Sequence, residues 1–238
     1  MKRFLIAAAL GSIALPGVAA AQAYNCAIPG TIERPHRDGP TTSQPRRVVP
    51  TGGYTLAISW SPQQCAGGKD SIASSFQCSA PNQFGFTLHG LWPDGKGEKW
   101  PQYCRSAALV PPQVIKKHIC TTPSAQLMQH EYAKHGTCTA MSPAQFFAKS
   151  SGLFGKLRFP DMVRLAHRDD LTAGQFASAL AAANPGMTSR MMRLTASRDG
   201  YLQEVWLCLD MRYRYRACPA FEKTLAPNRR LKIRAPRR

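Results

Sequence analysis

Two short stretches of the chain carry the residue types that proton transfer beside a phosphate requires. The first, at 86–94, places a lone histidine, His89, between an apolar run and a glycine. The second, at 130–138, contains His130, Glu131, Lys134 and His135 within six positions. A histidine can gain or lose a proton near neutral pH, and a lysine neutralises phosphoryl oxygens as a point charge. Chemistry at an anion is therefore the first function that the sequence suggests.

The second stretch has the spacing of one face of a helix. At about 100° per residue, its four ionisable side chains lie within an arc of about 140°. The pairs four residues apart, His130 with Lys134 and Glu131 with His135, can touch. Two other interpretations are a solvated charged helix face and a zinc site of the His-Glu-x-x-His kind. The histidines are five residues apart instead of four, which suits a shared metal ion poorly.

Two strands are predicted in this part of the chain, and the second one ends at the first chemical stretch. Residues 54–60 alternate in polarity and are rich in β-forming residues, and residues 84–88 look similar. His89 follows the second strand, where it could project into a cleft. Trp92 comes next, in the turn that the nearby proline and glycine indicate. Residues 191–209, with Asp-Gly near their centre, predict a β-hairpin.

Three helices are predicted from the signals at their ends. One runs over about 123–135 and is ended by Gly136 as a C-cap. Capping boxes at Ser142 and Thr172 begin the other two, each with a glutamine three residues later. Strands and helices in mixed order indicate a single α+β domain over 54–225. We expect a central, mostly antiparallel sheet flanked by helices.

The cysteines and the N-terminus indicate export. The chain of 238 residues has 8 cysteines, an even number that suits disulfides formed in an oxidising compartment. Lys2 and Arg3 precede an apolar run that ends in a small-residue cleavage pattern, so residues 1–23 are predicted to be a signal peptide. A membrane anchor is the alternative, which Gly11 and Pro16 within the short run disfavour. The mature protein would be secreted or periplasmic, without a membrane span.

The charge of the chain points to a polyanionic partner. The formal net charge is +18 at pH 7, a value that attracts nucleic acid, anionic lipid surfaces or acidic glycans. Charge alone leaves an unspecific cationic surface open. Residues 24–53 are rich in Pro and Arg and are predicted to be an irregular basic arm. Residues 226–238 are predicted to be a frayed basic tail.

Both chemical stretches resemble the two active-site segments of the T2 family of secreted ribonucleases. Residues 86–93 read Phe-Thr-Leu-His-Gly-Leu-Trp-Pro, and residues 130–138 read His-Glu-Tyr-Ala-Lys-His-Gly-Thr-Cys. The segment 54–65 resembles the first core strand of the family. The signal and cysteines most resemble the bacterial branch. Tyr132 and Met128 depart from the pattern, because the family often has tryptophan at both positions.

The resemblance implies an endonuclease that cleaves RNA with little base specificity and without a metal ion or cofactor. The 2′-hydroxyl of the substrate attacks the adjacent phosphorus and leaves a 2′,3′-cyclic phosphate and a free 5′-hydroxyl. Hydrolysis then gives a 3′-phosphate. Because the nucleophile belongs to RNA, DNA should not be cleaved. The expected partner is single-stranded RNA, and the expected protein is a monomer.

Roles for five residues follow from the resemblance alone. His135 matches the base that removes the 2′-hydroxyl proton, and His89 matches the acid that protonates the leaving 5′-oxygen. His130 matches a phosphate-binding histidine. Glu131 and Lys134 match the pair that flanks the pentacovalent phosphorane. One histidine must start neutral and the other charged, so a bell-shaped pH profile is expected.

The resemblance also implies a base pocket and some of the disulfides. Trp92 and Asp94 match the primary base pocket, where a tryptophan can stack on any base. Eight cysteines allow about a hundred connectivities, so the sequence alone does not fix the pairing. Two pairs resemble family bonds, a third closes a local loop, and a fourth is what remains: Cys104–Cys138, Cys208–Cys218, Cys65–Cys78 and Cys26–Cys120.

Three rival functions remain at this point. A cationic secreted protein that coats RNA or another polyanion would need no catalysis. The complete set of ionisable residues at 89 and 130–135 argues against such a protein. A metal hydrolase would be inactivated by a chelator. A third interpretation directs the charge at acidic membranes or cell walls, with RNA cleavage secondary.

Overall fold

The fold was analysed in a computed structural model, which describes residues 23–67 and 76–236. The predicted signal peptide therefore lies outside the described residues, apart from Ala23. The strands, in chain order, are β1 (Ala23–Asn25), β2 (Thr51–Trp60), β3 (Gln83–Phe84), β4 (Phe86–Gly95), β5 (Met192–Ala196) and β6 (Leu202–Leu209). The helices are α1 (Ser61–Gln64), α2 (Pro112–His118), α3 (Ala125–Lys134), α4 (Pro143–Phe154), α5 (Met162–Ala166) and α6 (Ala173–Ala183).

A four-stranded sheet in the order β4-β2-β6-β5 forms the centre of the domain. Every neighbouring pair is antiparallel, and β5 with β6 forms the predicted hairpin. A second, two-stranded sheet pairs β1 with β3. The α+β class and the antiparallel central sheet are as predicted. β2 lies between two neighbours and is buried along most of its length, so that its alternating polar residues Thr55 and Ser59 are buried as well.

The helices pack against this sheet through an aromatic core. α4 contacts β2 and β4, α6 contacts β5, and α2 packs on α4. The largest side chains of the core, which are almost completely buried, are Trp60, Phe86, Phe146, Phe147 and Phe176. Both predicted capping boxes are present, at the starts of α4 and α6. The core thus fixes the position of β4 in the sheet and of α3, which contacts β4.

β4 differs from its prediction in length. The strand does not end at His89 but continues to Gly95, so Trp92 lies in a strand and its placement in a turn was wrong. β4 is an edge strand, and Pro93 is tolerated there because a proline can occupy an edge where no backbone donor is needed. The extension places His89, Trp92 and Asp94 on one strand.

Both terminal segments are held against the domain. Residues 51–53, assigned to the arm from sequence, begin β2, and the N-terminal arm is therefore residues 24–50. The arm is irregular, as predicted, but its residue Arg47 exchanges two backbone hydrogen bonds of 2.9 Å with Gln102. The prediction of a frayed tail was wrong for its described part. Leu231 and Ile233 are buried in the core, because their alternation with basic residues turns one face inward.

Four disulfides staple these segments together. They are the four pairs named from the sequence: Cys26–Cys120, Cys65–Cys78, Cys104–Cys138 and Cys208–Cys218. The first attaches the N-terminal arm to the segment after α2, and the third joins the loop before α2 to the end of α3. Across residues 23–67 and 76–236, no helix is long and apolar enough to cross a membrane.

Candidate active site

His89 occupies a bulge in β4. Ala57 of β2 pairs with Gly90 and Ile58 pairs with Leu88, so His89 is the extra residue on the β4 side. A β-bulge bends a strand and re-aims the side chain it carries. The His89 ring is 27% exposed. Its Nδ1 lies 2.6 Å from the Glu204 carboxylate, and its Nε2 lies 3.4 Å from the Glu131 carboxylate.

The two carboxylates set the charge of His89. Burial alone lowers the pKa of His89, but hydrogen bonds to Glu131 and Glu204 outweigh it and raise this pKa to about 10. Burial also acts to raise the pKa of Glu131, which is 1% exposed, yet the contact with His89 lowers it to about 2. At neutral pH the structure therefore has an imidazolium between two carboxylates.

The two ends of α3 fix the helix in the position in which Glu131 reaches His89. Ser124 caps its N-terminus by accepting a hydrogen bond of 3.1 Å from the backbone of Leu127. The helix ends at Lys134, and His135 is the C-cap residue. Gly136 follows not because it adopts a left-handed conformation but because a Cβ there would overlap the Tyr132 ring. The chain turns sharply at this point and directs His135 towards β4.

His135 is the second imidazole of the site and, unlike His89, is buried, at 5% exposure. Its ring lies nearly parallel to that of Trp92, with centroids 5.5 Å apart and an interplanar angle of 29°. Its Nδ1 is buried and has no hydrogen-bond partner within the described part of the chain. Burial lowers the pKa of His135 to about 3. His135 is therefore neutral under conditions in which His89 is charged.

Trp92 links these groups. Its indole Nε1 donates a hydrogen bond of 2.7 Å to Glu131. The His89 ring meets it edge-on at 5.1 Å, and Trp206 of β6 does so at 5.2 Å. The indole therefore holds the Glu131 carboxylate in place in addition to lining the cleft.

A pocket of about 430 Å³ opens beside Trp92 and contains Asp94. Thr55 of β2 donates a hydrogen bond of 3.0 Å to Asp94. Burial raises the pKa of Asp94, and the Thr55 hydroxyl acts in the opposite direction. His135 and Lys134 line the same pocket. The two residues predicted to bind a base therefore share one pocket with two of the predicted catalytic residues.

His130 lies on the more exposed side of α3 and has a partner from the N-terminal arm. Its Nδ1 lies 2.6 Å from an oxygen of the Asp38 carboxylate. The other carboxylate oxygen of Asp38 accepts a hydrogen bond of 3.2 Å from the Tyr103 hydroxyl. Tyr103 adopts a left-handed conformation, with φ at 50°, and its backbone donates to the Lys134 carbonyl. Asp38 and Tyr103 thus form a small network at the side of the site.

The comparisons with known proteins agree with this arrangement. The sequence model of the family described as "Ribonuclease T2 family" matches residues 51–218. The chain belongs to the ribonuclease T2 family. A probable ribonuclease of Haemophilus influenzae is 29% identical over 71% of this chain. A ribonuclease of Aeromonas hydrophila is 35% identical over 66% of it. The matched part spans 62% of the first relative's length and 71% of the second's.

Solved structures agree on the fold. RNase NT, solved in complex with 5′-AMP, superposes with a TM-score of 0.63 at 19% identity, covering 79% of this chain and 99% of that chain. Trichomaglin, described as an S-like ribonuclease, superposes with a TM-score of 0.62 at 21% identity, covering 79% and 98%. At this level of identity the likeness concerns the T2 fold alone.

Two carboxylates of this T2-family site were missed from the sequence. Glu204 accepts hydrogen bonds from His89, Ser59 and Trp206, at 2.6, 2.8 and 2.8 Å. Asp38 contacts His130. Glu204 lies on the hairpin strand β6, where a polar residue among apolar ones is a weak signal. Asp38 lies in an irregular segment without any motif.

The assembled site has the groups for acid–base chemistry at an anion. Trp92 contacts His89, Glu131 and His135, and His89 contacts Glu131. Lys134 and Asp94 line the adjoining pocket. His130 stands apart from them, held by Asp38. Among residues 23–67 and 76–236, no group of three or more His, Cys, Asp or Glu side chains could hold a metal ion.

Proposed function

We propose that this T2-family protein is a metal-independent endoribonuclease that cleaves RNA by transesterification. The observation that carries the proposal is the pair of histidines beside Trp92. His89 is an imidazolium held by two carboxylates, and His135 is a buried neutral imidazole. An acid and a base that are both in the correct form at neutral pH are what concerted proton transfer requires.

In the proposed first step, His135 accepts the proton of the 2′-hydroxyl, and the oxygen forms a bond to the adjacent phosphorus. The bond from phosphorus to the 5′-oxygen breaks, and His89 supplies the proton that this oxygen takes up. The products are a 2′,3′-cyclic phosphate and a 5′-hydroxyl. In the second step the now neutral His89 accepts a proton from water, and the water oxygen forms a bond to phosphorus. The bond from phosphorus to the 2′-oxygen breaks, His135 returns its proton to that oxygen, and a 3′-phosphate forms. Each proton transfer contributes roughly 10²–10⁴-fold in rate.

Charge that develops on the phosphoryl oxygens is stabilised by the cations of the site. Lys134 supplies a point charge at the pocket mouth, and His130 binds a phosphate oxygen. Fixed charges aimed at a transition state are usually the largest contribution to catalysis. Glu131 acts beside them by holding His89, and Trp92 holds Glu131 in turn. We assign these four roles to the proposed reaction.

The pocket beside Trp92 is proposed to take a base of the substrate. An indole stacks on any base, which supports a weak sequence preference. Asp94 offers its carboxyl group to the edge of the base. The solved RNase NT holds 5′-AMP, a nucleotide, which supports a nucleotide-sized pocket in this fold. Single-stranded RNA is the proposed substrate, and DNA lacks the attacking hydroxyl.

The proposed location is secreted or periplasmic, and the proposed state is a monomer. Four disulfides support an oxidising compartment. The bacterial relatives support a bacterial ribonuclease. The N-terminal sequence supports the absence of residues 1–23 from the mature protein.

The matched variants His135→Ala and His89→Ala test the proposal against a cationic protein that only binds RNA. Each should reduce the cleavage of single-stranded RNA by at least about 10²-fold, while RNA affinity at low salt changes little. Cleavage and binding are measured on the same preparations. Variants that cleave as well as the wild type would contradict the proposed roles, and a wild type that binds RNA without cutting it would favour the binding protein.

A further inference from the structure

The N-terminal arm follows the helix that carries the candidate catalytic groups. The His36 backbone N–H donates a hydrogen bond of 2.8 Å to the Gln126 side chain, whose amide nitrogen donates back to the His36 carbonyl at 3.4 Å. Two residues later Asp38 meets His130, which lies four residues after Gln126. Two extended residues span about 7 Å at most, and four helical residues rise about 6 Å. The arm and α3 therefore run in matching register.

Both oxygens of Asp38 are engaged. One lies 2.6 Å from Nδ1 of His130, and the other accepts from the Tyr103 hydroxyl at 3.2 Å. Burial and then the charge of Asp38 raise the pKa of Tyr103 to about 12, so this hydroxyl remains a donor. Asp38 and His130 are 18% and 29% exposed, so solvent competes only partly with their contact. The carboxylate is therefore fixed from two sides.

The arm itself is anchored on either side of Asp38. Cys26 is bonded to Cys120, and the guanidinium of Arg46 donates to the carbonyl of Cys104 at 3.0 Å. These anchors lie before and after the segment that contacts α3. The family match begins only at residue 51, so Asp38 comes from a part of the chain that the family model does not cover.

We propose that Asp38 is a positioning residue of the active site: its carboxylate accepts a hydrogen bond from Nδ1–H of His130 and orients the ring so that Nε2–H, when the ring carries both protons, donates to the substrate phosphate. The inference rests on the proposed function, in which His130 binds that phosphate. A carboxylate on one ring nitrogen of a histidine fixes both its tautomer and its orientation. The arm is then part of the catalytic unit.

A double-mutant cycle separates this role from a structural one. Asp38→Ala should lower kcat/KM for RNA cleavage by about 10- to 100-fold, the range for losing a hydrogen bond to a charged group. In a His130→Ala background the same change should alter kcat/KM less than twofold, because the group through which Asp38 acts is gone. Equal losses in both backgrounds, or no loss in either, would overturn the inference.

The matched control is Glu33→Gln, which also removes one negative charge from the arm. Glu33 lines a separate groove beside the start of α3. The kcat/KM of the Glu33→Gln variant should therefore equal that of the wild type. Asp38→Asn keeps the size of the side chain and one acceptor oxygen, and its loss should be smaller than that of Asp38→Ala. If Glu33→Gln lost as much activity as Asp38→Ala, a general charge effect would replace the proposed contact.

A measurement without activity covers the case in which Asp38→Ala does not fold. The ¹⁵N chemical shifts of the His130 ring, recorded on the wild type at a pH where the ring is neutral, report its tautomer. We expect the proton on Nδ1 in the wild type. A predominant Nε2-protonated form would overturn the inference even if RNA is cleaved. A wild-type protein that does not cleave RNA would refute the proposed function instead. The tautomer of His130 would still show whether Asp38 positions the ring.

Discussion

At the scale of residues, the site depends on how differently His89 and His135 are surrounded. His89 has carboxylates at both ring nitrogens, whereas His135 has an aromatic face beside it and no partner at Nδ1 among the described residues. The pKa of His89 is therefore raised to about 10, and that of His135 is lowered to about 3. Both groups are in their active forms across the whole range between these values.

This difference predicts the pH dependence of kcat/KM. Activity should fall on the acid side as His135 takes up a proton and on the alkaline side as His89 loses one. We expect a broad plateau between about pH 4 and pH 9, measured with a short single-stranded RNA. A sharp optimum with both limbs inside that range would contradict the assignment of the base and the acid.

The Glu204→Gln variant should move only the alkaline limb. Removing one of the two negative charges at His89 destabilises the imidazolium, so the pKa of His89 falls and the limb moves to lower pH by about 1–3 units. The glutamine side chain also carries N–H groups, whereas the Glu204 carboxylate is already surrounded by three hydrogen-bond donors. Asp169→Asn, at an exposed carboxylate, is the charge-matched control. An unchanged alkaline limb would show that Glu204 does not set the charge of His89.

The residues differ in how far sequence could find them. The histidines, Glu131 and Lys134 are recognisable because their spacing is local and repeats a family pattern. Glu204 and Asp38 are single carboxylates that reach the site only through tertiary structure. Their partners lie 115 and 92 residues away in sequence. No local pattern can encode such a separation.

At the scale of elements, the bulge in β4 and the end of α3 bring the two active-site segments together. The bulge aims His89 at Glu131, and the C-cap position aims His135 at Trp92. The capping boxes that begin α4 and α6 were predictable because they depend on residues three apart. α2 and α5 were not predicted, and the C-cap of α3 is His135 instead of the predicted Gly136. The continuation of β4 was not predictable, because Gly90, Pro93 and Gly95 read as turn residues although they suit an edge strand.

Gly90 gives a prediction at this scale. A Cβ at Gly90 would overlap the Glu131 carboxylate, so Gly90→Ala should displace that group and lower kcat/KM by about 100-fold. Gly152 is the matched control. It lies exposed in α4 with nothing within 4 Å of its Cβ position. Gly152→Ala should keep full activity and raise the free energy of unfolding by about 0.5–1 kcal/mol.

Chemical denaturation and RNA cleavage, measured on both glycine variants, check these expectations. A Gly90→Ala protein with normal kcat/KM would mean that Glu131 can move away without consequence. That result would remove the geometric basis for coupling β4 to α3.

At the scale of the whole molecule, disulfides and terminal segments complete a basic domain. The burial of the C-terminal tail was predictable in principle, because Leu231 and Ile233 alternate with basic residues. The many charges around them instead favoured an exposed segment. The path of the N-terminal arm was not predictable, because it is set by Cys26–Cys120 and by contacts with α3. The fold class followed from the order of elements, and the resemblance of the two segments implied the family.

The charge of the molecule predicts how RNA binding responds to salt. Without Lys2 and Arg3 of the predicted signal peptide the formal charge of +18 becomes +16, and binding should release counterions from several phosphates, each contributing a slope of about −0.7 in log K against log salt. The His135→Ala protein allows this measurement without cleavage. We expect a slope steeper than about −2, which corresponds to roughly three phosphates. Affinity that does not change with salt would contradict an electrostatic contribution to binding.

The most direct test of the central claim is the chemistry of the product ends. Purified mature protein is incubated in EDTA with single-stranded RNA and with DNA of the same sequence, and the products are identified by mass. The account predicts 2′,3′-cyclic phosphate and 5′-hydroxyl ends from RNA, and intact DNA. Cleavage that EDTA abolishes, 5′-phosphate ends, or equal cleavage of DNA would contradict it.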